Sequence, residues 1–189
     1  MSDLNFSRKE FIQKAVTVGI LTSSATVLES CSNAPAGIKE RGLKFSNFSE
    51  VNTELEKIRI SKTIIPYGEW SPSQILLHCG QSIYYSIKGY PENKSEIFQN
   101  TLGKIAFWNF SRKGKMSHDL NAPIPGADVL QSGISISDSV LELKKAISAF
   151  SNYTGKFAPH FAYGKLTKQE YELAHAMHIA NHLDYVTIN

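Results

Sequence analysis

Three of the six histidines of this chain, His175, His178 and His182, fall within eight consecutive residues. Placed on a helix, His178 and His182 are one turn and about 40° apart, so both imidazoles can reach one ion from one face. His175 lies about 60° from His178 on the same side, as a hydrogen-bonding neighbour of such a site or an alternative ligand. Tyr171 and Tyr185 fall within about 20° of His178, and with Tyr85 they are candidate acids or hydrogen-bond donors. Glu172 and Asp184 lie about 120° away and are expected to face solvent. The metalloprotease pattern needs a glutamate directly after the first histidine of the pair; Ile179 stands there, which excludes a zincin-type protease. The best further ligand is His78, at the edge of an apolar arc formed by Ile75, Leu76, Cys79, Ile83 and Ile87. Taken alone, a residue placed like His78 is more often a core or boundary histidine satisfied by a hydrogen bond, and the three-histidine cluster fits a polar seam equally well.

Four helices have to position these residues. Asn47 with Glu50 opens the first, which runs to Ile60 with Val51, Leu55 and Ile58 at helical spacing. Ser71-Pro72-Ser73-Gln74 is a capping box with proline at the first helical position, and the second helix extends from it to about Lys88. Ser137-Asp138-Ser139 opens the third, which ends before Gly155. Thr167 with Glu170 opens the fourth, expected to continue through the histidines to about Val186. Between the second and third lie an accessory helix, Lys94 to Phe110, and an irregular stretch from Arg112 to Gly133 rich in proline and glycine. The accessory helix carries Phe98, Leu102, Ile105, Phe107 and Trp108, expected to lie against the other helices. A loop that long is often a lid, and this one is expected to cover one end of the helices and limit access to the metal. No period-two segment with hairpin turns and no internal repeat appears, so the class is all-α.

The 189 residues, 42% of them hydrophobic and 11% aromatic, can bury one sizeable core. A net charge of +3 does not mark a nucleic-acid binder, and Arg112-Lys113-Gly114-Lys115 reads as a solvated loop. His118 and His160 read as loop or capping residues. Residues 1–35 have the layout of an export signal: Arg8, Lys9 and Lys14, then an uncharged run of about 14 residues, too short and polar to span a bilayer. Ser7-Arg8-Lys9-Glu10-Phe11-Ile12 resembles a twin-arginine motif with Lys9 in place of the second arginine. Leu28-Glu29-Ser30-Cys31 resembles a lipobox, which makes Cys31 a candidate for lipidation, with simple cleavage of the signal as the alternative. Residues 36–45 read as linker and 46–189 as the helical domain.

The stretch from Trp70 through Ser71-Pro72-Ser73-Gln74 to His78, continuing to Tyr85-Ser86-Ile87-Lys88-Gly89-Tyr90-Pro91, resembles the second helix of a branch of the DinB/YfiT-like superfamily catalogued as a domain of unknown function. Pro159-His160-Phe161-Ala162-Tyr163-Gly164-Lys165-Leu166-Thr167, followed by His175, His178 and His182, resembles its C-terminal block. The resemblance implies an up-and-down four-helix bundle holding one divalent metal on His78, His178 and His182. It leaves the role of His175 open, and Asn181 departs from the histidine common in such relatives. Three neutral imidazoles suit zinc, nickel, iron or copper and leave a position open for water or substrate. The expectation is an exported metal-dependent hydrolase or transferase acting on a small molecule, without a nucleic-acid partner, touching a membrane only through a lipid on Cys31, and compatible with a homodimer. The alternatives are a non-catalytic metal- or ligand-binding lipoprotein, and a bundle kept for structure. Related bundles that depend on a cytoplasmic thiol are a poorer guide for an exported protein.

Overall fold

The computed structural model describes residues 40–189, so the segment read as an export signal and Cys31 lie outside the described residues. Helix α1 (Phe48–Ile60) begins where Asn47 Oδ1 accepts from the Glu50 amide at 3.1 Å, while Glu50 accepts from the Ser46 amide at 2.7 Å. After a short strand β1 (Ile64–Pro66), helix α2 (Pro72–Lys88) starts on the complete Ser71–Gln74 capping box. Pro72 occupies the first helical position, where a missing N–H costs nothing. The helix stops at Gly89, whose φ of 102° an L side chain rarely adopts.

The accessory helix is three pieces in sequence: α3 (Glu96–Phe98), a π-helical turn (Gln99–Gly103) and α4 (Lys104–Lys113). Only Phe107 of its large apolar residues is buried, and Leu102, Ile105 and Trp108 stand exposed, against the expectation that this surface lies inward. The π-helical turn changes the helical phase, and the inner side is set by Gly103, where a Cβ would come within 2.0 Å of the Ala162 carbonyl oxygen. Residues 114–135 carry no helix or strand. Helix α5 (Ile136–Asn152) is capped by Ser135, which accepts from the Asp138 amide at 3.1 Å, two residues earlier than the serine pattern suggested. Helix α6 (Lys168–Leu183) opens on the expected Thr167–Glu170 box. It ends short of Val186, because the chain then forms β2 (Val186–Ile188), antiparallel to β1 with Ile64 opposite Ile188 and Pro66 opposite Val186. Strands of three residues are too short to show a period, so the class is mainly helical rather than wholly so.

Two apolar clusters organise these elements. The larger joins α1, α2, α5 and α6 through residues such as Leu55, Leu76, Leu143 and Ile179. Gly80 of α2 faces α5, and a Cβ there would make ordinary contact with the Leu143 Cα at 3.7 Å. The smaller brings together Phe107 of α4, Met116 of the irregular segment, Tyr163, and Ala174 and Met177 of α6. It fixes the start of the long loop against the helix that carries the histidine pair.

Residues 40–45, read as linker from the sequence, are part of the fold. The Arg41 amide donates to the Asp184 carbonyl at 3.0 Å, the Leu43 amide donates to Asp184 Oδ1 at 2.8 Å, and Phe45 is buried in the larger cluster. Asp184 is therefore fully buried instead of solvent-facing, and Glu172 accepts from the Phe48 amide at 3.0 Å. Lys115 is likewise no solvated charge: its Nζ lies 2.6 Å from Glu40 Oε2 and 3.0 Å from Asp184 Oδ2. Buried carboxylates require such partners. No helix of the described residues is long and apolar enough to cross a membrane.

Candidate metal centre

Helix α2 presents His78 and helix α6 presents His178 and His182, one turn apart. The Nε2 atom of His178 lies 3.2 Å from Nε2 of His78 and 3.1 Å from Nε2 of His182. The three rings stand nearly edge-on to one another, with centroids 4.8 to 5.0 Å apart and interplanar angles of 70° to 75°. Tetrahedral coordination at about 2.0–2.1 Å from each nitrogen would space the nitrogens by about 3.3–3.4 Å, close to what is seen. One imidazole nitrogen carries either one proton or one lone pair, so His178 Nε2 cannot satisfy two neighbouring nitrogens by hydrogen bonding. A cation between three lone pairs resolves that conflict, and the donor set fits a divalent metal. These three residues lie close enough together to hold one ion.

The surroundings keep the imidazoles neutral, the form that binds metal. Burial, reinforced by the neighbouring His118 ring, pushes His78 down to about 3. Burial holds His178 and His182 well below the ordinary histidine value, and the mutual proximity of the rings adds to it. Trp70 covers the outer side, its ring 4.7 Å from that of His78 and 6.0 Å from that of His182. Trp70 precedes the Ser71 cap, in the staple position where an apolar residue is common, but its contact with two ligand candidates was not read from the sequence.

A cavity of about 260 Å³ adjoins the site, with His78, His118, His175 and His178 in its wall and a mainly apolar remainder that includes Met116, Ile124 and Phe161. The long loop supplies Met116, His118 and Ala122 to Pro125, so it packs at the site as expected. His118, read from the sequence as a loop or capping residue, has its ring 4.9 Å from that of His178 and 4.8 Å from that of His182. It lies outside every periodic segment, and the only hint was the length of the loop that bears it.

The remaining sequence candidates divide. His175 is buried outside the three-histidine group, stacked 5.4 Å from Tyr171, with Nε2 lacking a hydrogen-bond partner. Burial pushes it down to about 3. Tyr171 donates its hydroxyl to the Ala158 carbonyl at 2.7 Å and Tyr185 donates to Glu40 at 2.7 Å, while Tyr85 packs beside Tyr90 with ring centroids 5.8 Å apart. None of these three tyrosines is in the cavity wall. The helical projection placed Tyr171 and Tyr185 on the histidine stripe, but two turns of separation and committed hydroxyls keep them from the three nitrogens. Asn181 is buried with Nδ2 unpaired among the described residues. His160 orders the turn before α6: its Nδ1 accepts from the Ala162 and Tyr163 amides at 3.1 and 3.2 Å, and its ring stacks on Tyr163 at 4.3 Å.

Comparison with curated proteins and with solved structures gave no match. Residues 37–189, which include every helix of the described residues and all the histidines of the site, match the family described as "Protein of unknown function (DUF1569)". The chain belongs to the DUF1569 family.

Proposed function

We propose that this protein binds one divalent metal ion on His78, His178 and His182 and uses it to hydrolyse a small molecule, or to transfer a group to or from one, in the adjoining cavity. The single observation carrying this reading is the gathering of three buried imidazoles, with the Nε2 atoms of His78 and His182 at 3.2 and 3.1 Å from that of His178, beside a mainly apolar cavity whose wall includes His78 and His178. A bound ion would supply Lewis acidity and a water acidic enough to act near neutral pH. The chain's own residues hold the ion through α2 and α6, exclude bulk water with Trp70 and the long loop, and accommodate a largely apolar substrate of modest size. The helix order and the ligand pattern favour an up-and-down four-helix bundle of the DinB-like kind as the framework. In this reading residues 1–35 direct export and Cys31 is the point of lipid attachment, so the substrate is met outside the cytoplasm.

A second reading, a non-catalytic module that captures a metal or small ligand, is favoured by one observation: among the described residues no carboxylate is in the cavity wall. Metal content of the purified protein, followed by turnover of the reconstituted protein on a panel of esters, amides and thiol conjugates, separates the two. The enzyme reading expects stoichiometric metal and turnover, both lost in His178→Ala. Metal without turnover on any substrate favours the capture module, and no metal in wild type overturns both.

A further inference from the structure

Outside the three helical histidines, the described residues bring one more imidazole to the same place. His118 sits on the segment without regular structure, two residues after Met116, which anchors that segment in the cluster with Phe107, Tyr163 and Met177. Its Nδ1 lies 2.8 Å from the Asp119 carbonyl oxygen. A carbonyl can only accept, so Nδ1 is the protonated nitrogen and Nε2 carries a bare lone pair. That Nε2 is buried and has no hydrogen-bond partner. The ring meets those of His178 and His182, and His118 shares the cavity wall with His78 and His178.

A neutral imidazole whose Nδ1–H is fixed by a backbone carbonyl, with Nε2 free, is the state in which histidines ligate metals: the outer hydrogen bond sets both tautomer and ring orientation. A buried lone pair without a partner otherwise has no compensation for the water it has lost. We propose that His118 is a fourth imidazole ligand, carried by the loop, to the ion held by His78, His178 and His182. This rests on the metal reading above and extends it. The three nitrogens on α2 and α6 are already gathered, whereas His118 stands outside that group on the loop, so its ligation draws the loop toward the ion. Metal uptake and closure of the loop over the cavity then become one event. The ligand count also narrows the metal. A tetrahedral zinc ion would be coordinatively full with four imidazoles, whereas nickel, iron or copper, which accept more ligands, keep a position for substrate.

The test uses the metal-free full chain and its His118→Ala and His118→Phe variants, the second keeping an aromatic ring against His178 and His182. Each is titrated with nickel(II) alone by calorimetry, and the nickel-loaded wild type and variants are examined by X-ray absorption to count imidazoles. Four imidazoles in wild type, three in the variants, and an affinity lowered by at least about tenfold in both are expected. Three imidazoles in wild type, or unchanged affinity in a folded variant, overturns the fourth ligand while leaving the three-histidine site standing. A wild type that takes up no metal overturns the site and this ligand together. If both variants fail to fold, the imidazole count in wild type decides alone.

Discussion

Acid should destabilise the metal-free protein well above the pH at which carboxylates titrate, because its histidines are buried neutral. His78 and His175 are pushed down to about 3 by burial. In the unfolded chain each returns to about 6.5. Between those values the unfolded state binds a proton that the folded state does not, so stability is complete above about pH 6.5 and falls as pH is lowered toward 3. Going from pH 7 to pH 5, each such histidine costs about 2 kcal/mol, and the pair about 4 kcal/mol. Against a total of roughly 5–15 kcal/mol for an ordinary domain, that lowers the melting temperature by about 8–16 °C. The depressed histidines His160, His178 and His182 push in the same direction. The carboxylates that are depressed, such as Glu40 and Glu170, lose their contribution only below their ordinary value of 4.5, outside this window. The assay is the urea or thermal midpoint of metal-free protein at half-unit steps from pH 7 to 5, repeated with His175→Gln. The variant should lose about 2 kcal/mol of the pH dependence, whatever its absolute stability. A midpoint that stays constant from pH 7 to 5, or an unchanged slope in His175→Gln, would refute the claim that these rings are folded in the neutral state.

Two further outcomes follow from particular contacts. Nickel or copper should quench tryptophan emission in wild type and in Trp108→Phe but not in Trp70→Phe, since Trp70 lies against His78 and His182 whereas Trp108 is exposed; equal quenching in the two variants would place the ion elsewhere. Gly103→Ala should lower stability by about 3 kcal/mol or more in a denaturant titration, because the new Cβ would meet the Ala162 carbonyl oxygen at 2.0 Å. Gly80→Ala, whose Cβ meets nothing closer than 3.7 Å, should be neutral or stabilising by up to about 1 kcal/mol through helix propensity.

The sequence by itself determined where most of the helices start and which of them carry the three clustered histidines. Helix starts are local chemistry: Asn47, Ser71 and Thr167 satisfy amides three residues away, and those contacts need no distant partner. The relation between His178 and His182 is equally local, fixed by the pitch of one helix. Tertiary structure decided everything that depends on which segments meet. His78 is one hundred residues from His178, and its approach to 3.2 Å rests on the packing of α2 and α6 into one core. The helical projection put Tyr171, Tyr185 and Asp184 at angles about the α6 axis, but it could not say that partners elsewhere engage their polar atoms: Ala158 and Glu40 for the hydroxyls, Leu43 and Lys115 for the carboxylate. His118 shows the limit most clearly. It belongs to a segment with no period to read, and its place beside His178 and His182 comes from the loop around it, anchored by Met116 between α4 and α6. Local rules act over a few residues, whereas the free energy that brings His118 to the site is apolar burial between chain segments some sixty residues apart.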